Sequence, residues 1–255
     1  MQKRKITIKT QQWNAKQYHQ HAHFVSSLAL PMIELLNPKK GEKILDLGCG
    51  DGTLAVEIEK YHTYVTAIDS SEDMVNKAKE KGIDAHLISA TEMTHHHEFD
   101  ALFSNATLHW VKDADLSIKR IYQALKKQGR FVAEFGGYGN IKHLTDAMQE
   151  VFNSDARYGE FINPWYFPKP KEYQLLLEKH GFEVNEIELI PRPTPIDDIS
   201  HWLDIFANGI VSHLSIKDQQ SFKEKVGEIL KLKLYSEKDG WVVDYVRLRL
   251  KATKN

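Results

Sequence analysis

From residue 43 to residue 254, short apolar runs alternate with stretches in which apolar positions recur every three or four residues. The first pattern predicts strands and the second amphipathic helices. Strands are predicted over 43–47, 64–69, 85–89, 99–105, 130–135, 182–190 and 241–251. Helices are predicted over 54–61, 71–80, 113–126, 140–153 and 171–179, with Gly82, Gly129 and Gly181 as stops. Strand–helix alternation of this kind layers helices on a mostly parallel sheet, and each strand up to the fifth is expected to return through a crossover. Two segments break the rhythm. Residues 1–38, rich in His, Gln and aromatics, are predicted to form a helix or two over one end of the sheet, and 191–240 opens with Arg192-Pro-Thr-Pro195 and continues into helices over 199–208 and 217–234. The expected organisation is one domain: an N-terminal helical segment (1–38), a core (39–190), a helical cap inserted before the last strand (191–240) and that strand (241–255).

Composition narrows the class further. The chain has 255 residues, 42% hydrophobic and 27% charged, enough for a sizeable core and ordinary for a globular protein. With 34 basic against 35 acidic residues the net charge is -1, so no global field favours nucleic acid or anionic membrane. The mixed-sign helix over 217–233 reads as a solvated face, and no nucleic-acid partner is predicted. MQKRKITIKT lacks the apolar segment of a signal peptide and no later run is long enough to span a bilayer, so a cytoplasmic protein without a membrane partner is expected. A lone cysteine, Cys49, suits a reducing compartment.

Chemistry concentrates in ILDLGCGDG, Ile44 to Gly52, where a buried strand runs into three glycines and then a helix. Glycines let the chain turn sharply and let a ligand touch the backbone. A nucleoside triphosphate loop needs Lys then Ser or Thr after the last glycine, whereas Thr53 and Leu54 follow here. A dinucleotide loop needs a glycine where Thr53 stands, which weakens NAD without removing it. Two acids, Asp46 in the first strand and Asp69 at the end of the second, favour S-adenosylmethionine, whose ammonium and ribose hydroxyls both suit carboxylate acceptors. A pyrophosphate would be repelled by Asp46.

The chain resembles the class I S-adenosylmethionine-dependent methyltransferases, in particular the group similar to trans-aconitate methyltransferase. The resemblance is carried by ILDLGCGDG, VTAIDSS (65–71), FDALFSNATLHWV (99–111) and LKKQGRFVAEF (125–135), and for the subgroup by WNAKQYHQHAHFV, NPWYFP (163–168) and RPTP. It implies a Rossmann-like seven-stranded sheet with an antiparallel last strand. It further implies that Asp46, Gly48 and Gly50 surround the methionine part of the cofactor, that Asp69 takes the ribose hydroxyls, and that Ser70 and Met74 lie beside the adenine. An acid that meets the adenine amine in many relatives is replaced here by Ser89, leaving that contact to Thr91 or the backbone at Ala90. Asn105 would line the pocket mouth through its main chain.

On the acceptor side, a carboxylate needs no base because it is already ionised, whereas a phenol or amine does. His109 is the candidate base, with a purely packing role as the other reading. Tyr18, Trp110, Trp165 and Tyr166 are candidate pocket walls, together with Trp13 and Phe167. Arg192, placed in a turn after the sixth strand, is the first candidate for an acidic acceptor, and Arg247 and Arg249 share one face of the last strand. Neither His19, His21 and His23 nor His95, His96 and His97 has zinc-site spacing, and no metal is predicted. The function expected is methyl transfer to a small molecule, with a carboxylate oxygen as the favoured acceptor. The alternatives are transfer to RNA, protein or a carrier-bound acyl group, or a non-catalytic partner protein.

Overall fold

The computed structural model describes residues 30–255. Tyr18, Trp13 and most of the N-terminal segment therefore lie outside the described residues. The described chain falls into two compact units.

The larger unit holds residues 30–140, 165–191 and 246–255. Its elements begin with α1 (Leu30–Leu36), β1 (Lys43–Leu47), α2 (Thr53–Glu59), β2 (Tyr64–Asp69), α3 (Glu72–Glu80) and β3 (Asp84–Leu87). They continue with β4 (Phe99–Asn105), a 3-10 turn (Leu108–Trp110), α4 (Ala114–Ala124) and β5 (Leu125–Gly136). In the smaller unit lie α5 (Lys142–Ser154) and a second 3-10 turn (Ala156–Tyr158), and α6 (Pro170–Lys179) returns to the larger one. Strand β6 (Phe182–Ile196) passes from the larger unit into the smaller, which also holds α7 (Ile199–Phe206), α8 (Asn208–Val211), α9 (Ile216–Leu234) and β7 (Tyr235–Ser236). Strand β8 (Gly240–Lys254) closes the chain.

Strand order is β3-β2-β1-β4-β5-β8-β6, with the short β7 paired to the start of β8. The pairs among β1 to β5 are parallel, and β5 meets β8 antiparallel from Arg130↔Thr253 to Gly136↔Arg247. Both faces are covered, which is why the central strands read as near-continuous apolar runs. On one face Ile44, Val65, Ala67, Ala101, Phe103 and Val132 pack against α1, α2 and α3 through residues such as Leu36, Ile58 and Val75. Leu45, Leu102, Phe131, Phe135 and Leu250 line the other, against Ile118, Ile121 and Leu177 of α4 and α6. Because side chains alternate along β1, Asp46 falls on the face of Ile44, and both of its flanking leucines are buried opposite.

The smaller unit has its own apolar centre. Phe152 of α5 meets Phe222 of α9 with ring centres 5.2 Å apart, and the buried Tyr158 donates to or accepts from Ser221 at 3.1 Å. Trp202 of α7 donates its indole N–H to the Tyr245 hydroxyl at 2.6 Å.

Several predicted elements differ from the structure. The segment between β3 and β4 carries no helix, so this crossover is a loop, pinned by the buried Met93. Helix α4 ends at Ala124 rather than 126, because Gln128 takes a left-handed conformation (φ 62°) and the chain already pairs at Leu125↔Phe99. The helix predicted over 199–208 breaks at Ala207 into α7 and α8. Strand β6 runs on to Ile196, so Arg192 stands inside a strand and not in a turn; proline's fixed φ is compatible with extended chain away from ladder donors. Asn105, read as a loop residue, is the last residue of β4.

Beyond β5 the chain turns through Gly136 to Asn140, and this turn is fastened to β8. The buried Asn140 accepts from the Val246 N–H at 2.9 Å, while Gly137 N–H donates to the Val246 carbonyl at 3.0 Å. Asn140→Ala leaves the partly buried Val246 N–H unmet and is expected to cost roughly 1 kcal/mol. Urea denaturation checks this, and an unchanged midpoint would show that the bond holds nothing.

Candidate active site

At the end of β1 the chain turns through Gly48 (φ 74°), Gly50 (φ 54°) and Gly52 (φ 78°) before α2 begins. Gly48 and Cys49 N–H both donate to the Ile68 carbonyl, at 2.8 and 3.0 Å, which draws the loop across the end of β2. A Cβ on Gly48 would lie 2.1 Å from Thr107 Oγ1, so a side chain is barred by contact as well as by φ. That hydroxyl sits 3.1 Å from both the Gly48 and the Asn105 carbonyls and ties the glycine loop to the end of β4. Ser104 adds a second tie, donating to the Leu47 carbonyl at 2.8 Å.

Two carboxylates stand at this rim. Asp69 accepts the Gly50 N–H at Oδ2 (3.0 Å) and the Ser71 N–H at Oδ1 (2.9 Å). Burial nevertheless raises its pKa, partly offset by those backbone donors. Asp46 is only 2% exposed, and its Oδ2 is buried with no hydrogen-bond partner among the described residues. Burial, with the Asp69 charge added, pushes its pKa up to about 7. An unpartnered buried carboxylate oxygen beside a second acid calls for a cation with N–H donors.

Of the residues expected beside an adenine, Met74 is buried and Ser70 exposed, flanking Ser71, whose Oγ accepts the Met74 N–H at 3.4 Å and caps α3. Ser89 Oγ lies 3.3 Å from Thr91 Oγ1 and donates to Glu92 Oε2 at 2.6 Å, next to the buried Ala90. An acid, Glu92, is thus present after β3, three residues beyond Ser89.

Just past Thr107 begins a second cluster. His109 is 7% exposed, and its Nδ1 accepts the Gly136 N–H at 3.2 Å. Accepting at Nδ1 puts the proton of the neutral ring on Nε2. Burial, and the Arg247 guanidinium nearby, hold the ring's pKa well below the ordinary imidazole range. The ring lies 5.5 Å from Trp110 and 5.9 Å from Phe167; Trp110 lies 5.5 Å from Trp165, which stacks on Phe167 at 6.0 Å. Backbone bonds hold the two aromatic segments side by side: Tyr166 N–H donates to the His109 carbonyl at 2.8 Å and Lys112 Nζ to the Trp165 carbonyl at 2.9 Å.

Sequence reasoning thus named Trp110 and Trp165 in the cluster, but Tyr166 contributes its backbone while its hydroxyl turns to Glu172 at 2.7 Å. Arg192 belongs to the smaller unit. Thr107 was missed, since nothing in SNAT announces a contact with a glycine 59 residues earlier. Among the described residues no helix is long and apolar enough to cross a membrane, and no group of three or more His, Cys, Asp or Glu is placed to hold a metal.

A parallel sheet with a glycine turn at the end of β1 and an acid at the end of β2 defines a nucleoside-cofactor fold, and the buried Asp46 oxygen beside that turn would repel a pyrophosphate. The comparisons agree. A family profile described as a methyltransferase domain matches residues 45–133. An uncharacterized methyltransferase of Schizosaccharomyces pombe is 34% identical over 255 residues, covering 95% of this chain and 98% of the relative. Trans-aconitate 2-methyltransferase of Rhodococcus jostii is 34% identical over 234 residues, covering 86% and 89%. Phosphoethanolamine N-methyltransferase 2 of Haemonchus contortus, solved with S-adenosyl-L-methionine, shares the fold with a TM-score of 0.58 at 19% identity, over 89% of this chain and 52% of that one. The chain belongs to the S-adenosylmethionine-dependent methyltransferases.

Where Asp46 meets the cofactor's cationic tail, its raised pKa is expected to make cofactor binding sensitive to pH. A cation favours the ionised carboxylate, so below about 7 binding must first expel a proton. Affinity for S-adenosylmethionine is expected to rise as pH rises through about 7 and then level off, with proton release visible by calorimetry in buffers of different ionisation enthalpy. Without ligand the sign reverses: an acid whose folded pKa is raised costs stability as pH climbs from about 4, its unfolded value, to about 7. Asp46→Asn is therefore expected to raise the melting temperature of the free protein at pH 8 while weakening the cofactor. Affinity that is flat from pH 6 to 8 would contradict this.

Proposed function

We propose that this methyltransferase esterifies a carboxylate of a small molecule. Asp46, Gly48 and Gly50 hold the methionine part of the cofactor, Asp69 its ribose hydroxyls, Ser70 and Met74 its adenine, with Ser89, Ala90 and Thr91 beside the base and Asn105 at the mouth. When bound, S-adenosylmethionine supplies an electrophilic methyl on a sulfonium; transfer to a carboxylate oxygen breaks C–S, forms C–O, leaves a neutral thioether and moves no proton.

The observation that carries the reading is the state of His109. Its Nδ1 lone pair is taken by the Gly136 N–H, and burial and Arg247 oppose a second proton, so the ring beside the aromatic cluster is no base. An acceptor that arrives ionised needs no base from His109, and at neutral pH carboxylates do arrive so. What remains for the chain is to orient the acceptor and exclude water, for which the Trp110, Trp165 and Phe167 rings provide apolar walls. The trans-aconitate 2-methyltransferase likeness points to the same acceptor class.

The test is product chemistry. Purified protein incubated with methyl-labelled S-adenosylmethionine and a fractionated cell extract is expected to put label into small metabolites as methyl esters, which mild alkali releases as methanol. Label in RNA or protein, or in alkali-stable small products, would overturn the reading. Asp69→Ala removes charge-assisted bonds and is expected to weaken cofactor binding by roughly 1.5–3 kcal/mol. Unchanged binding by a folded Asp69→Ala protein would show that the ribose lies elsewhere.

A further inference from the structure

We infer that the Ser89 hydroxyl, held by Glu92 as an acceptor only, reads the amino edge of the cofactor's adenine; the inference rests on the cofactor placement proposed above and is independent of the methyl acceptor. Place comes first. Ligands of open α/β sheets lie outside the carboxyl ends of the strands. With the methionine part over the turn after β1 and the ribose on Asp69 at the end of β2, the base has to leave on the far side of Asp69, toward β3. Ser89 stands on that side. Leu87, the last residue of β3, pairs with Asp69, and the next N–H, that of Ile88, donates to the Asp69 carbonyl at 3.0 Å.

A free serine hydroxyl rotates and serves a donor or an acceptor equally well. This one is held. Beyond β3 the chain turns back, with the Glu92 N–H donating to the Ser89 carbonyl at 3.1 Å, and the turn brings Glu92 Oε2 to 2.6 Å from Ser89 Oγ. An ionised carboxylate has no proton to give, so the serine proton goes to Glu92. Thr91 Oγ1, 3.3 Å from Ser89 Oγ, is then the donor of that contact and takes one lone pair. What Ser89 has left to show a ligand is its second lone pair and no proton. An adenine amine meets a lone pair with an N–H. The 6-oxo group of hypoxanthine, of nearly the same size, meets it with lone pairs of its own. Ser89 therefore selects an amino base over an oxo base, by attraction to the first and repulsion of the second. Glu92 touches no ligand in this arrangement and acts as a positioning residue.

The test is calorimetry of the full chain with S-adenosylhomocysteine and with its deaminated form, S-inosylhomocysteine. Wild type is expected to bind the adenine compound roughly tenfold or more tighter. In Glu92→Gln the amide nitrogen can donate to Ser89 Oγ and free its proton to face the ligand, so the preference is expected to shrink to within about threefold. Ser89→Ala is expected to lose the preference as well, mainly by binding the adenine compound more weakly. Ser89→Asp combined with Glu92→Gln puts an acceptor-only side chain in place of the pair and should restore the preference, which a merely structural role for either residue would not do. Melting temperatures near wild type check that each variant is folded. A wild type that binds both compounds alike, a preference unchanged in folded Glu92→Gln and Ser89→Ala, or no recovery in the double variant would overturn the assignment. Weakened binding by Asp69→Ala beside an unaltered Ser89→Ala removes the Ser89 contact alone, whereas unaltered binding by both removes the cofactor placement with it.

Discussion

Asp46 and Asp69 stand at the ends of adjacent parallel strands, and the rest of the larger unit is arranged to keep them there against their own repulsion. Register fixes the placement, because Asp46 pairs with Ala67 and Leu47 with Ile68, which brings Asp69 one residue past the end of β1. Apolar packing on both sheet faces supplies the stability that this costs, with each well-buried Leu, Ile or Phe worth about 1.5–3 kcal/mol. Asp69 is partly compensated by two backbone donors, but Asp46 Oδ2 is not.

Ties from β4, from the residues just after it and from β2 fix the glycine loop. Thr107 and Ser104 bond the carbonyls on either side of the turn at Gly48, and Ile68 takes two loop N–H groups. Two residues after Thr107, the chain turns His109 toward β5 and Trp110 toward Trp165. The glycine-loop end is therefore acidic and rich in backbone donors, while the cluster beyond it is aromatic.

Much of this was legible in the sequence, for physical reasons. Strands β1, β2 and β4 are fully covered, so their apolar runs are unmistakable, and the glycines and acids of ILDLGCGDG sit where strand periodicity stops. Less legible was anything that depends on contacts far apart in the chain. Thr107 looks like any small loop residue until Gly48 is beside it, and Tyr166 looks like pocket wall until Glu172 captures its hydroxyl. Arg192 was expected in a proline-flanked turn where β6 in fact continues. Only the β5–β8 register shows that Arg247, rather than Arg249, faces the residue that holds His109; Arg249 pairs with Glu134 at 2.8 Å.

The central claim is that the buried Asp46 oxygen answers the cofactor's ammonium. Its most direct test is a cycle between protein and ligand: binding of S-adenosylmethionine and of its analogue with hydrogen in place of the α-amino group, each to wild type and to Asp46→Asn. If Asp46 meets the ammonium, removing the amino group should weaken binding to wild type roughly tenfold or more and to Asp46→Asn much less. An equal loss in both proteins would contradict the account.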